Sequence, residues 1–300
     1  MITFRNFSTL VKALLVLIVL FAALLSALLA FRLVSGRSLG LRSFARDQVY
    51  AVTSHGKALS DSSSIKATST GDYTNIIFLH HSVGHNLIDQ GQVRELFTQS
   101  GYDFYDHDYN HLGLRNPDGE YLGYRYNVPH DNTDPDGLAG IFSQPVYPLP
   151  LNTFSGLLQH EVIVFKSCYP VSDIASEEKL DEYKAYYLKM REVMDQHPDK
   201  IFILVTPPPL NPAETNSEIA ARARRFTDWL VSDEYLAGRL NVFAFNFFDH
   251  LAENDPTSPE LNMQRADYRQ GTDSHPNLEA NQTIGPRFVD FVIQAINVYK

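Results

Sequence analysis

The chain has 300 residues, 44% of them hydrophobic, and sets 25 Lys and Arg against 35 Asp and Glu for a formal net charge of −10 at pH 7. That length and apolar content can bury a sizeable core, while the acidic balance, with no basic stripe in the body, excludes a nucleic-acid binder that must displace phosphate counterions with clustered Lys and Arg. Cys168 is the only cysteine, so neither an internal disulfide nor a multi-cysteine zinc site is available.

From the N-terminus, residues 13–31 hold no charge and one polar side chain, Ser26. A helix of that length, at ~1.5 Å per residue, nearly covers a ~30 Å hydrocarbon core. Residues 1–33 are therefore expected to be a membrane anchor, helical over about 12–31. It is read as retained because no small-x-small cleavage site or lipobox cysteine follows. Arg5 and Lys12 precede the run, and Arg32, Arg37, Arg42 and Arg46 follow it. The positive-inside count alone puts the body in the cytoplasm, but long domains translocate largely regardless of charge, and a single-pass anchor ahead of a large domain favours an extracytoplasmic body. Residues 34–73, with Ser60-Asp61-Ser62-Ser63-Ser64 among them, are too poor in large apolar side chains to order themselves and read as a flexible linker.

The body is expected over 74–300 as one domain. Apolar runs at 75–79, 161–166, 200–206 and 241–247 read as buried strands, with a weaker, more polar candidate at 103–109. Stretches of helical period at 83–99, 176–197, 213–232 and 278–298 separate them, with Ser176 and Asn277 placed as N-caps and Glu177 and Glu178 in a first turn. Continuous apolarity in the strands and their alternation with helices imply a mostly parallel sheet covered on both faces. About 110–160 has little periodicity and reads as a loop-rich insertion walling the cleft, its aromatics Tyr121, Tyr124, Tyr126, Phe142, Tyr147 and Phe154 either stacking on sugar rings or forming a small core.

Ligands of such sheets bind beyond the carboxyl ends of the strands. His80, His81 and Ser82 follow the first strand, Lys166 and Ser167 end the third, and Asp273 and His275 precede the last helix. A serine hydroxyl needs a base within hydrogen-bond reach and a group that orients the base, and Ser82, His275 and Asp273 supply all three. Of the two histidines before the serine, one is expected to pack in the core and the other to line the cleft. Cys168, between an apolar strand and Tyr169-Pro170, reads as a packed small hydrophobe.

In placing Ser82 straight after the first strand, followed by Gly84, and Asp273-Ser274-His275-Pro276-Asn277 ahead of the last helix, the chain resembles the SGNH, or GDSL-type, hydrolase superfamily. The resemblance implies a three-layer α/β/α flavodoxin-like sandwich and a Ser, Asp, His triad that needs no metal or organic cofactor. It also implies oxyanion donors at the serine N–H, at a glycine after the second strand, for which Gly113 is the candidate, and after the third strand. There Lys166-Ser167-Cys168-Tyr169-Pro170 stands in place of the family's Gly-x-Asn-Asp, leaving Ser167 or Lys166 to substitute, with His81 as a further substrate contact. One residue rather than the family's two separates Asp273 from His275, so the imidazole is oriented by Asp273 through a tighter turn, by Asp267, or by a backbone carbonyl.

Two metal readings compete. Asp103, Asp106, His107, Asp108 and His111 form a dense cluster of oxygen and nitrogen ligands, but on an extended segment successive side chains diverge. Asn132-x-Asp134-x-Asp136-Gly137 matches the start of a calcium loop, with Ser143 where the closing Glu belongs, and reads as a polar turn. The expected function is a serine-dependent carboxylic ester hydrolase acting on an O-acylated cell-surface carbohydrate. The alternatives are an O-acyltransferase using the same site and a non-catalytic surface-binding module.

Overall fold

The computed structural model describes residues 4–35, 56, 71–126, 128, 134–148, 150 and 152–300. Helix α1, Phe4–Ser35, carries exposed apolar side chains such as Leu14, Leu17, Phe21 and Leu25. Among the described residues no helix is long and apolar enough to cross a membrane. The side chains of 4–13, which fall in the expected anchor, and nearly all of the expected linker lie outside the described residues.

Six strands form one sheet: β1 (Asn75–Leu79), β2 (Asp103–His107), β3 (Leu114–Arg115), β4 (Val162–Lys166), β5 (Ile201–Val205) and β6 (Val242–Phe245). Their order is β3-β2-β1-β4-β5-β6, and all neighbours are parallel except β2 and β3. Without the edge strand β3 this is the flavodoxin-like order, with its topological switch between β1 and β4. The strands are apolar on both faces because both are covered. Ile77, Leu79, Ile163, Phe165, Phe202 and Leu204 join one cluster, and the alternate residues Ile76, Phe78, Val162, Val164, Ile201 and Ile203 join another.

Helices α2 (Ser82–Gln90), α3 (Val93–Gln99) and α10 (Leu278–Tyr299) cover the second face through Val83, Leu87, Phe97, Ile284, Phe288 and Val292. The other face is covered by α4 (Pro135–Phe142), α5 (Thr153–Leu157), α6 (Glu177–Met194) and α7 (Ser217–Leu230). The short helices α8 (Asp233–Leu236) and α9 (Phe247–Leu251) flank β6. This is the three-layer arrangement expected from the SGNH resemblance. Ser176 and Asn277 cap α6 and α10 by accepting from Lys179 N and Ala280 N.

Three expectations need correcting. The helix expected over 83–99 is two helices, because Gly91 and Gly285 let the backbones touch: a Cβ on Gly285 would lie 2.4 Å from Gly91 O. Gln92 then turns the chain in the left-handed region, at φ 56°. The insertion is more ordered than a loop, since it supplies β3, α4 and α5. Of its aromatics, Tyr124, Tyr126, Phe142 and Phe154 are buried in the main core with Phe165 and Phe202, so they are structural rather than open to a sugar. At the amino-terminal edge of the sheet, Gly71 N and Thr74 N donate to the Glu161 carboxylate at 2.8 and 3.0 Å, and the Tyr73 ring meets that of Tyr299 at 4.9 Å.

Candidate active site

Strand β1 runs His80, His81 and Ser82 off the carboxyl edge of the sheet. His80 N extends the parallel ladder by donating to His107 O at 3.0 Å. His81 remains extended at φ −130°, ψ −158° as the N-cap of α2, its carbonyl accepting from His85 N at 2.9 Å, and Ser82 becomes the first helical residue. The turn is tight enough that a Cβ on Gly84 would lie 2.4 Å from His80 Cβ, so glycine is needed there. Ser82 N–H, in the first turn, has no carbonyl partner within its own helix.

The loop ahead of α10 meets Ser82 from the other side. His275 Nε2 is 2.8 Å from Ser82 Oγ, and His275 Nδ1 is 2.5 Å from Asp273 Oδ1. The same Oδ1 accepts the backbone N–H of His275 at 2.7 Å, which closes a one-residue turn and compensates for the short spacing. With Nδ1–H donated to the carboxylate, Nε2 is left as the acceptor for the serine hydroxyl. Burial by itself would raise the Asp273 pKa, but the two bonds from His275 hold it below its ordinary value. Asp267, the other carboxylate considered, is engaged by Arg265 at 2.7 Å instead.

The loop is anchored by groups not anticipated from the sequence. Ser274, fully buried, accepts from Asn211 N at 2.8 Å and donates to Glu214, while Asn211 Nδ2 donates to Gly271 O and Asp273 O at 3.1 and 3.2 Å. The Tyr169 ring stands edge-on to His275 at 5.0 Å. Cys168 Sγ lies 3.9 Å from Ser82 Oγ, so the thiol lines the site. The available signal was register: Leu79 pairs with Phe165, which sets the segments leaving β1 and β4 side by side.

The other expected donors divide. Gly113 is excluded as an oxyanion donor, because its N–H already donates to Tyr109 O at 2.9 Å and its φ of 84° serves that turn. Ser167 is fully buried and its hydroxyl meets Tyr187 OH at 3.1 Å, within the helical layer rather than the cleft. Lys166 is also fully buried; its Nζ donates to Ser167 O at 2.7 Å, and burial lowers its pKa. His81 remains available: its ring stacks on Tyr109 at 4.3 Å, and its buried Nε2 has no hydrogen-bond partner. Burial, with a contribution from His80, lowers its pKa to about 4, so the ring is neutral at pH 7.

The acidic cluster considered for a metal is committed elsewhere. Asp106 binds His80, Arg94 and Arg115; His107 Nε2 accepts from Tyr126 N at 2.9 Å; and Asp108 pairs with His85. Among the described residues no group of three or more His, Cys, Asp or Glu is placed to hold a metal ion. In the calcium-loop reading, Asn132 lies outside the described residues, Asp134 is the N-cap of α4 and Asp136 lies in its first turn.

Fold and site together define a class: an α/β protein of flavodoxin-like strand order whose carboxyl edge joins serine, histidine and aspartate in one hydrogen-bonded series. No protein-family model and no curated protein matches the sequence. Among solved structures the chain is similar to a GDSL-like lipase from Bacteroides thetaiotaomicron, at 10% identity over 83% of this chain and 98% of that one, with a TM-score of 0.47. It is also similar to a protein named as an acylhydrolase from Bacteroides fragilis, at 12% identity over 80% and 93%, with a TM-score of 0.47. A third, named for platelet activating factor, from Streptococcus pneumonia, is 12% identical over 85% and 100%, with a TM-score of 0.45. Identity at this level leaves the chemistry to the site itself.

Proposed function

We propose that the chain is a serine-dependent carboxylic ester hydrolase, and the observation that carries the reading is the continuous series from Ser82 Oγ through His275 to Asp273. His275 Nε2 takes the hydroxyl proton as Ser82 Oγ attacks the ester carbonyl, and returns it to the departing alcohol. Water, activated by the same nitrogen, then releases the acid from the acyl-serine. Asp273 steadies the imidazolium. Ser82 N–H and the unpaired His81 Nε2 are the donors we assign to the substrate oxygen, where each donor is worth ~10²–10³ in rate.

For the alcohol we favour an O-acetylated cell-surface carbohydrate, supported by the exposed His111 and half-buried Tyr109 rings stacked at 5.8 Å beside His81. In a purified, active full-length chain, Ser82→Ala and His275→Ala are each expected to abolish turnover of p-nitrophenyl acetate, and only Ser82→Ala to abolish the fluorophosphonate acceptor itself. Unchanged turnover in either variant would sink the reading. Acyl transfer would show instead as an acylated sugar when an acceptor is supplied.

We also propose the order anchor, linker, body, with residues 12–31 holding the chain in a membrane and the body outside the cytoplasm. The uncharged run 13–31 in the sequence supports it. The full chain is expected to stay with membranes through an alkaline carbonate wash, and release by the wash would refute the anchor.

A further inference from the structure

Behind Ser82 lies a buried pair that the reaction does not use. The His80 ring is fully buried; its Nε2 is 3.0 Å from Asp106 Oδ2 and its Nδ1 is 3.0 Å from His81 O. Both partners are acceptors, so each bond needs a proton on the ring nitrogen that makes it. Asp106 belongs to β2, and its other oxygen takes Arg94 from α3 and, at 3.0 Å, Arg115 Nε from β3. Burial alone would raise the Asp106 pKa, but His80 and the two guanidiniums hold it far below its ordinary value, so the carboxylate is a fixed anion. Arg94 is further secured by Phe104 O at 2.8 Å, and Arg115 by Asp89 at 3.0 Å.

The carbonyl that His80 holds is the one that starts the nucleophile's helix. His81 O receives His80 Nδ1–H from below and His85 N–H from the first helical turn. The same ring fills the space over Gly84 that a side chain would need. Two donors on one oxygen fix the peptide plane between His81 and Ser82, and that plane sets the direction of the Ser82 Cα–Cβ bond. We propose that His80 is a positioning residue for the nucleophile: it ties the His81 carbonyl to the Asp106 ion cluster and so holds Ser82 Oγ in register with His275 Nε2. His81 shares the clamp, which also steadies its unpaired Nε2 beside the serine.

The proposal rests on Ser82 being the nucleophile, and one experiment separates the two ideas. The rate at which a fluorophosphonate labels Ser82 is measured in the full chain for wild type, H80N and H80Q, with steady-state hydrolysis of p-nitrophenyl acetate and Tm alongside. Asparagine places an amide N–H where Nδ1 sits and keeps the His81 clamp while losing Asp106; glutamine places it where Nε2 sits, keeping Asp106 and losing the clamp. Because a displacement of ~1 Å at a reacting atom costs ~10²-fold, H80Q is expected to label about 10²-fold more slowly at nearly unchanged KM, and H80N to stay within about 10-fold of wild type. H80Q labelling as fast as wild type overturns the proposal, as does a loss in both variants that simply tracks Tm. Absence of labelling in wild type overturns the nucleophile and the clamp together. If H80Q cannot be purified, H80A, which removes the donor to His81 O, carries the test, with labelling about 10²-fold slower expected and a wild-type rate refuting the proposal.

Discussion

Asp273 Oδ1 takes the backbone N–H of His275 at 2.7 Å and its ring Nδ1 at 2.5 Å, so one oxygen both shapes the turn and orients the base. Asp273→Asn keeps an oxygen for the backbone bond but loses the charge that steadies the imidazolium. A buried triad acid is worth ~10⁴ in kcat, but the Asp273 side chain is 57% exposed and water already screens it, so a smaller loss of about 10²-fold is expected, with KM little changed. Turnover within about threefold of wild type would make the site a Ser-His dyad. Residues placed by a strand exit or a helix start, Ser82 and His275, were legible in the sequence because topology alone brings such positions to one rim. Gly113 and Ser167 were not, since whether an N–H is free or a hydroxyl faces the cleft depends on where the neighbouring turn or helix has already claimed it.

At the scale of elements, long apolar runs announced β1, β4 and β5, and the capping residues Ser176 and Asn277 located α6 and α10. What escaped was set by partners distant in sequence. Strand β3 is two residues long and exists because β2 offers it an edge, with Asp106 paired to Arg115 across the antiparallel step. The break between α2 and α3 comes from Gly285, almost two hundred residues away, pressing on Gly91. Polar residues on β2 suggested a weak strand or a metal cluster for the same reason. Their carboxylates are paired with His85 of α2, Arg94 of α3, Arg115 of β3 and His80 at the exit of β1.

For the whole molecule, the pH dependence of stability follows from its histidines. Burial, as the largest cause in each, lowers the pKa of His81 to about 4 and those of His107 and His160 to about 3, from an ordinary 6.5. Below pH 6.5 the unfolded chain binds protons at these sites that the folded one refuses, so their contribution to stability, complete above that pH, is lost as pH falls towards 3. His85 acts in the opposite sense: its contacts with Asp108 and Asp89 raise it to about 10, so its contribution is complete below 6.5 and lost as pH rises to 10. Melting temperature is therefore expected to fall on both sides of pH 6.5, with His85→Gln flattening the alkaline limb and leaving the acid limb in place. An acid limb that begins only below pH 4.5 would contradict this. One further consequence comes from the Glu161 latch, where Gly71 and Thr74 join the amino-terminal edge of the sheet. Ser82 stands at the carboxyl edge, a five-residue strand or ~16 Å further on. On the proposed order of anchor, linker and body, the mooring would enter at one edge of the sheet and Ser82 would stand at the other, which would keep the proposed nucleophile open to polymers too bulky to slip beneath the protein.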